Sequence, residues 1–169
     1  MENLEIKKIW GKLILALFVA IGLAVFRNVT KPEQPIKKSN YPIAINSKMV
    51  GQYPVEVGSG AGYFYDEVLE YRVWIHPEMG GKDIYNGNDY YQAFEAYEDA
   101  LIFSKKTKGA EEPLVLIKQK EWVSEPTSNR YIHMKEIRLT EWKVEWLKGR
   151  KREKNSIDEF LKTNAIHGK

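Results

Sequence analysis

The chain has 169 residues, 43% of them hydrophobic and 12% aromatic, and it contains no cysteine. That length carries one ordinary domain with a core and tails, and the lack of cysteine excludes disulfides, thiolate metal sites and cysteine nucleophiles. The net charge of +3 is unevenly spread: residues 1–40 hold seven Lys/Arg against three Asp/Glu, residues 41–147 twelve against seventeen, and residues 148–169 seven against three. An acidic middle repels phosphate backbones, so no nucleic-acid partner is expected, whereas basic flanks suit an anionic lipid surface.

Residues 13–26 carry no charge, and residues 9–11 extend the apolar run across Lys12 to about eighteen positions. A membrane-spanning helix needs roughly 20 residues, and a lysine near its end can snorkel to the interface. Residues 1–27 therefore read as a single-pass anchor that contacts the membrane through residues 9–26. A cleaved signal peptide is the alternative, with Lys7, Lys8 and Lys12 as its basic start and residues 22–24 as its small-residue site. A short amino-terminal tail usually stays inside, which puts the domain outside the cytosol, but basic residues on both sides of the run leave orientation open.

Residues 28–52 read as a linker, because Pro32, Pro35 and Pro42 break helices and favour an extended, solvated chain. The glycine run over 58–62 looks like a phosphate-cradling loop, but Tyr63, Phe64 and Tyr65 follow it where a helix would have to start, so it reads as a turn. The domain is expected over 53–147. Leu69, Tyr71, Val73 and Ile75 alternate with Glu70, Arg72, Trp74 and His76, the period of a half-buried strand, and Pro77 ends it. A Gly/Asn/Asp-rich loop over 78–89 follows, then a short strand over 90–94.

Tyr97, Ala100, Leu101 and Ser104 fall at helical spacing, with lysines suited to the carboxyl end and Gly109 as the stop. A strand over 114–123, a turn at 126–129, a strand over 131–139 and a final strand carrying Trp142, Val144 and Trp146 complete the order β, loop, β, α, β, β, β. This predicts an α+β fold: a small antiparallel sheet with one covering helix, preceded by a single hydrophobic amino-terminal helix. Residues 148–169 read as a basic tail, solvated or in contact with anionic lipid, with Ser156 and Glu159 as the capping box of a short terminal helix.

Chemistry-bearing residues are few. His76 stands at a strand end beside Glu78, a place for a general base or, with Asp83 or Asp89, a metal ligand, although a structural His-Pro turn is the favoured reading and no metal is assigned. Glu111 and Glu112 form a carboxylate pair that can bind a cation or simply sit in a solvated loop. Tyr85, Tyr90, Tyr91, Tyr97, Trp122, Trp142 and Trp146 exceed what a small core needs, so some of them can line a shallow groove. The candidate ligand-binding set is His76, Glu78, Asp89, Tyr91, Glu111, Glu112 and Trp142, and no catalytic residue is assigned.

The segments YRVWIHPE (71–78), DYYQAF (89–94), YEDALIFS (97–104), GAEEPLVL (109–116) and TEWKVEWL (140–147) resemble a family of small bacterial proteins. The resemblance runs from about Gly62 to Leu161. Many members carry the label of GNAT-type N-acetyltransferase, which would imply acetyl-CoA as cofactor. Such enzymes hold the cofactor pyrophosphate with a Gln/Arg-x-x-Gly-x-Gly/Ala loop opening a helix. The nearest pattern here, residues 55–60, starts with Val55 and leads into aromatic strand-like sequence. The expectation is a membrane-tethered accessory or interaction module without cofactor, contacting protein partners, a membrane complex or a small ligand. The alternative is an acyl-CoA-dependent N-acetyltransferase, and a third reading is a periplasmic ligand binder released by signal cleavage.

Overall fold

The computed structural model describes residues 38–54 and 62–165. The hydrophobic run over 13–26 and most of the glycine run, residues 55–61, lie outside the described residues. Among the described residues no helix is long and apolar enough to cross a membrane.

The fold is α+β and is built around β1 (Glu67–Ile75). β2 (Tyr90–Phe94) pairs antiparallel with one edge of β1 and β3 (Leu114–Gln119) with the other; β6 (Arg138–Lys143) pairs with the far edge of β3, giving the order β2-β1-β3-β6. β4 (Trp122–Thr127) and β5 (Arg130–Met134) form a separate two-stranded hairpin. α1 (Tyr97–Lys106) covers one face of the main sheet, and α2 (Ser156–Ala165) lies near β5.

Strand alternation sorts β1 into two faces. Tyr71, Val73 and Ile75 are fully buried on the helix side, with Val115 and Ile117 of β3, Trp142 of β6 and Ala100 of α1. The opposite face is not solvent: Glu70 and Arg72 are also 0% exposed. A half-buried strand is thus in fact buried on both sides, and the chain that covers its second face comes from the end of the expected linker and the two residues that follow it. Gly51 N donates to Glu70 Oε2 at 2.6 Å, while Arg72 reaches the carbonyls of Tyr53 and Pro54. Nearer the amino end, Ala44 N donates to Glu95 O and Ile45 N to Val68 O, both at 2.9 Å. Residues 38–54 therefore belong to the domain, because their backbone hydrogen bonds are made to it and not to water.

Three further boundaries differ from the sequence reading. The strand expected over 114–123 is two strands in different sheets; the chain turns at Lys120, whose amide donates to Asp66 Oδ2 at 2.6 Å. Likewise 131–139 is split between β5 and β6, with Ile137 left 70% exposed in the crossing. The final strand stops at Lys143, and Val144–Leu147 is a 3-10 helix. In that geometry i and i+3 share a face, so Val144 and Leu147 both enter the core.

The described part of the basic tail, residues 148–165, is packed on the domain. Tyr65 N donates to Arg150 O at 3.0 Å, Arg152 N to Tyr65 O at 2.7 Å, and the Arg152 guanidinium pairs with Asp66 at 2.6 Å. α2 then docks through buried Ile157 and through Phe160, whose ring meets Tyr63, Phe64 and Tyr131. Its start differs from a capping box: Ser156 Oγ accepts from Glu153 N at 2.8 Å, and Glu159 N bonds Asn155 O.

Candidate functional site

The end of β1 is held by glycine contacts. Gly109 has φ +73, and a β carbon there would come within 2.3 Å of Gly81 N and 2.7 Å of His76 O. Only glycine permits this approach. It lets His76 N donate to Gly109 O at 2.8 Å while Gly81 N donates to His76 O at 3.0 Å. Glu111 N then donates to Trp74 O at 2.9 Å, which carries the Glu111 side chain to His76.

Three carboxylates converge on that imidazole. Nδ1 lies 3.0 Å from Asp89 Oδ2 and 3.8 Å from Glu78 Oε1, and Nε2 lies 3.1 Å from Glu111 Oε1. The Glu111 contact is out of line with the ring N–H and leaves Nε2 without a directed hydrogen bond, so it acts through charge. His76 is 13% exposed, its carboxylate neighbours 43% to 67%. Burial pulls the His76 pKa down. The hydrogen bond to Asp89, with the charges of Asp89, Glu111 and Glu78, outweighs it and raises the pKa above 6.5.

A group whose pKa is raised on folding stabilises the folded state below its unfolded pKa and loses that contribution as the proton leaves. The melting temperature is therefore expected to fall as pH rises from about 6.5 through the folded His76 pKa. A His76→Gln variant should flatten that part of the profile; a slope unchanged in the variant would assign the effect to other groups.

His76, Glu78 and Asp89 also place one ligand atom each within 4.8 Å of one another, a nitrogen-oxygen set of the kind divalent ions accept. Asp83, the other carboxylate considered for that role, instead accepts from Gly87 N at 2.9 Å inside its own loop.

Beside this cluster lies a cleft of about 520 Å³ lined by Trp74, Tyr85, Asp89, Tyr90 and Tyr91, with Val50, Gly51, Gln92 and Ala93. Register makes it: Trp74 is paired with Tyr91 across β1 and β2, their rings 5.1 Å apart, and Tyr85 folds back from the loop onto Tyr90 at 5.5 Å. Behind two of its lining rings, Trp74 and Tyr91, lies a buried charged network. Arg72 Nε binds Glu70 at 2.6 Å, its Nη1 binds Glu141 at 2.7 Å, and its guanidinium sits 4.4 Å from the Tyr91 centroid. Glu141 also accepts from Trp74 Nε1 at 3.1 Å.

The structure thus brings together His76, Glu78, Asp89 and Glu111, with Tyr91 two residues along from Asp89 in the cleft lining. Two of the expected residues stand elsewhere. Glu112 is near Tyr97, where after burial and Tyr41 it helps push that hydroxyl's pKa up. Trp142 is 1% exposed and paired in register with Val115, so it is a core side chain packed against Tyr65 and Trp146 and cannot wall a groove.

Trp74, Arg72 and Glu141 were not singled out by sequence reasoning. The available signal was the Glu70-x-Arg72-x-Trp74 pattern, opposite charges and an indole two apart on the face that alternation assigns to solvent. No family model, curated protein or solved structure matches the chain.

Proposed function

We propose that this protein is a membrane-tethered binding module, anchored through residues 9–26, whose described domain takes a ligand in the aromatic cleft beside His76. One observation carries the reading. Four aromatic side chains from β1, β2 and the 78–89 loop converge with Asp89 on one concavity, of a size usual for small-ligand sites. The loop that supplies Tyr85 to the cleft leaves Met79, Ile84 and Tyr85 exposed at 59%, 47% and 57%, apolar surface of the kind that marks recognition sites. Among the described residues lining this cleft no nucleophile is paired with a general base, which favours the binding reading.

An acyl-CoA-dependent transferase needs a cation-rich or amide-rich cradle for the pyrophosphate. Here Asp89 lines the cleft and Glu78 and Glu111 join it around the neighbouring His76, which disfavours so anionic a cofactor.

The test is a thermal-shift screen of the full-length protein in a non-ionic detergent against small-molecule fragments, with acetyl-CoA and CoA included. A cleft ligand at about 100 times its dissociation constant stabilises by about 2.7 kcal/mol, several degrees for a domain of this size. Trp74→Leu is expected to abolish the shift. Stabilisation by acetyl-CoA that survives Trp74→Leu would replace the module reading with the transferase one.

A further inference from the structure

The cleft also has a chemical preference. The hydrogen-bonding ends of three of its four rings are already used: Trp74 Nε1 donates to Glu141, the Tyr90 hydroxyl to Lys82 O at 3.0 Å, and the Tyr91 hydroxyl to Tyr53 O at 3.5 Å. What these rings still offer a ligand is π-face and apolar area. Aromatic faces carry negative quadrupole charge and attract cations. The fold itself uses Tyr91 this way, since fully buried Arg72 stacks 4.4 Å from its centroid.

The formal charges agree. Among the described residues lining the cleft Asp89 is the one charged side chain, and beside it Glu78 and Glu111 stand with it around His76, itself cationic only when protonated. Lys82 and Lys108, on neighbouring loop positions, form no ion pair with these carboxylates among the described residues. The excess is negative in either protonation state of His76.

A primary ammonium or guanidinium would need several acceptors arranged around it, and of the described cleft side chains Asp89 is already bonded to His76, which leaves mainly Gln92 and the Tyr85 hydroxyl at the exposed edge. A quaternary ammonium needs none. We propose that the ligand of this cleft is a small quaternary-ammonium cation, seated against Trp74, Tyr85, Tyr90 and Tyr91 with Asp89 as its counter-charge. This deepens the binding-module reading and rests on it.

The experiment titrates the full-length protein, in a maltoside detergent that lacks ammonium headgroups, by calorimetry and tryptophan fluorescence. Three probes are used: choline, its uncharged carbon isostere 3,3-dimethylbutan-1-ol, and Nα-acetyl-lysine amide. Choline is expected to bind about tenfold or more tighter than the isostere, and to weaken at high salt as a charge contact does. Asp89→Asn and Tyr85→Ala should each weaken choline binding severalfold. Tyr85 is more than half exposed, so its variant tests the contact without disturbing the fold.

Equal binding of choline and isostere would overturn the cationic preference and leave the cleft as an apolar binding site. Tighter binding of the lysine amide would overturn the small-ligand proposal in favour of a protein side chain. If none of the three probes binds while fragments of the screen above do, the proposal falls and the module reading stands; silence from every compound sinks both.

Discussion

Replacing Arg72 by methionine is expected to lower the unfolding free energy by about 3–5 kcal/mol, the usual cost of removing one partner from a buried ion network. Arg72 and Glu70 are both 0% exposed, and the guanidinium bonds Glu70, Glu141 and the carbonyls of Tyr53 and Pro54. Without it, Glu70 keeps only the Gly51 amide among the described residues, and a buried carboxylate with one donor is short of most of its solvation. Domains of this kind are stable by only about 5–15 kcal/mol in total, so the loss should be plain in a urea melt.

The double variant Arg72→Met, Glu70→Gln separates charge from packing. If the orphaned carboxylate causes the loss, discharging it should recover a measurable part; if packing of the aliphatic stem causes it, the double variant is no better than the single. A single variant within about 1 kcal/mol of the parent would show that water reaches the network. The same change should loosen Tyr91 in the cleft, because the buried guanidinium is what its ring stacks on.

Trp142→Ala is the second large effect, again about 3–5 kcal/mol, the range for deleting a buried large aromatic and leaving a cavity. The indole is 1% exposed, and its edge-on partners Tyr65 and Trp146 stand at 6.4 Å and 6.1 Å. Aromatic pairs of this geometry contribute beyond their area, so both neighbours lose a contact together. Denaturant melts read the size of the loss. A near-neutral Trp142→Ala would place the side chain at a surface, against its register opposite Val115. The contrast with Trp74 is the useful part: Trp142→Ala should cost stability without selective loss of ligand, and Trp74→Leu should cost ligand binding far more than stability.

These two tryptophans show how far the candidate site was legible. His76, Glu78 and Asp89 were legible because strand end, His-Pro turn and polar loop follow one another in sequence and the structure keeps them together. Glu111 was legible only as half of a pair with Glu112. The backbone bond from Glu111 N to Trp74 O separates them, sending one carboxylate to His76 and leaving the other near Tyr97. Tyr91 and Trp142 looked alike as surplus aromatics, and the registers Trp74–Tyr91 and Val115–Trp142 put them on opposite faces of one sheet.

By itself the sequence determined what short-range periodicity and punctuation carry. That includes the strand ending at Ile75, the helix from Tyr97 with its lysine-rich end, the turn before Arg130 and the α+β class that their order implies. Tertiary structure alone decided which strands share a sheet, where the 114–123 and 131–139 segments break, and why β1 is buried on both faces. The reason is physical. Alternation has the same period in either sheet, and the groups that settle the matter are distant in sequence: Gly51 for Glu70, Glu141 for Arg72, Asp66 for Lys120. A residue's face is a local property, but what covers that face is supplied by the rest of the chain.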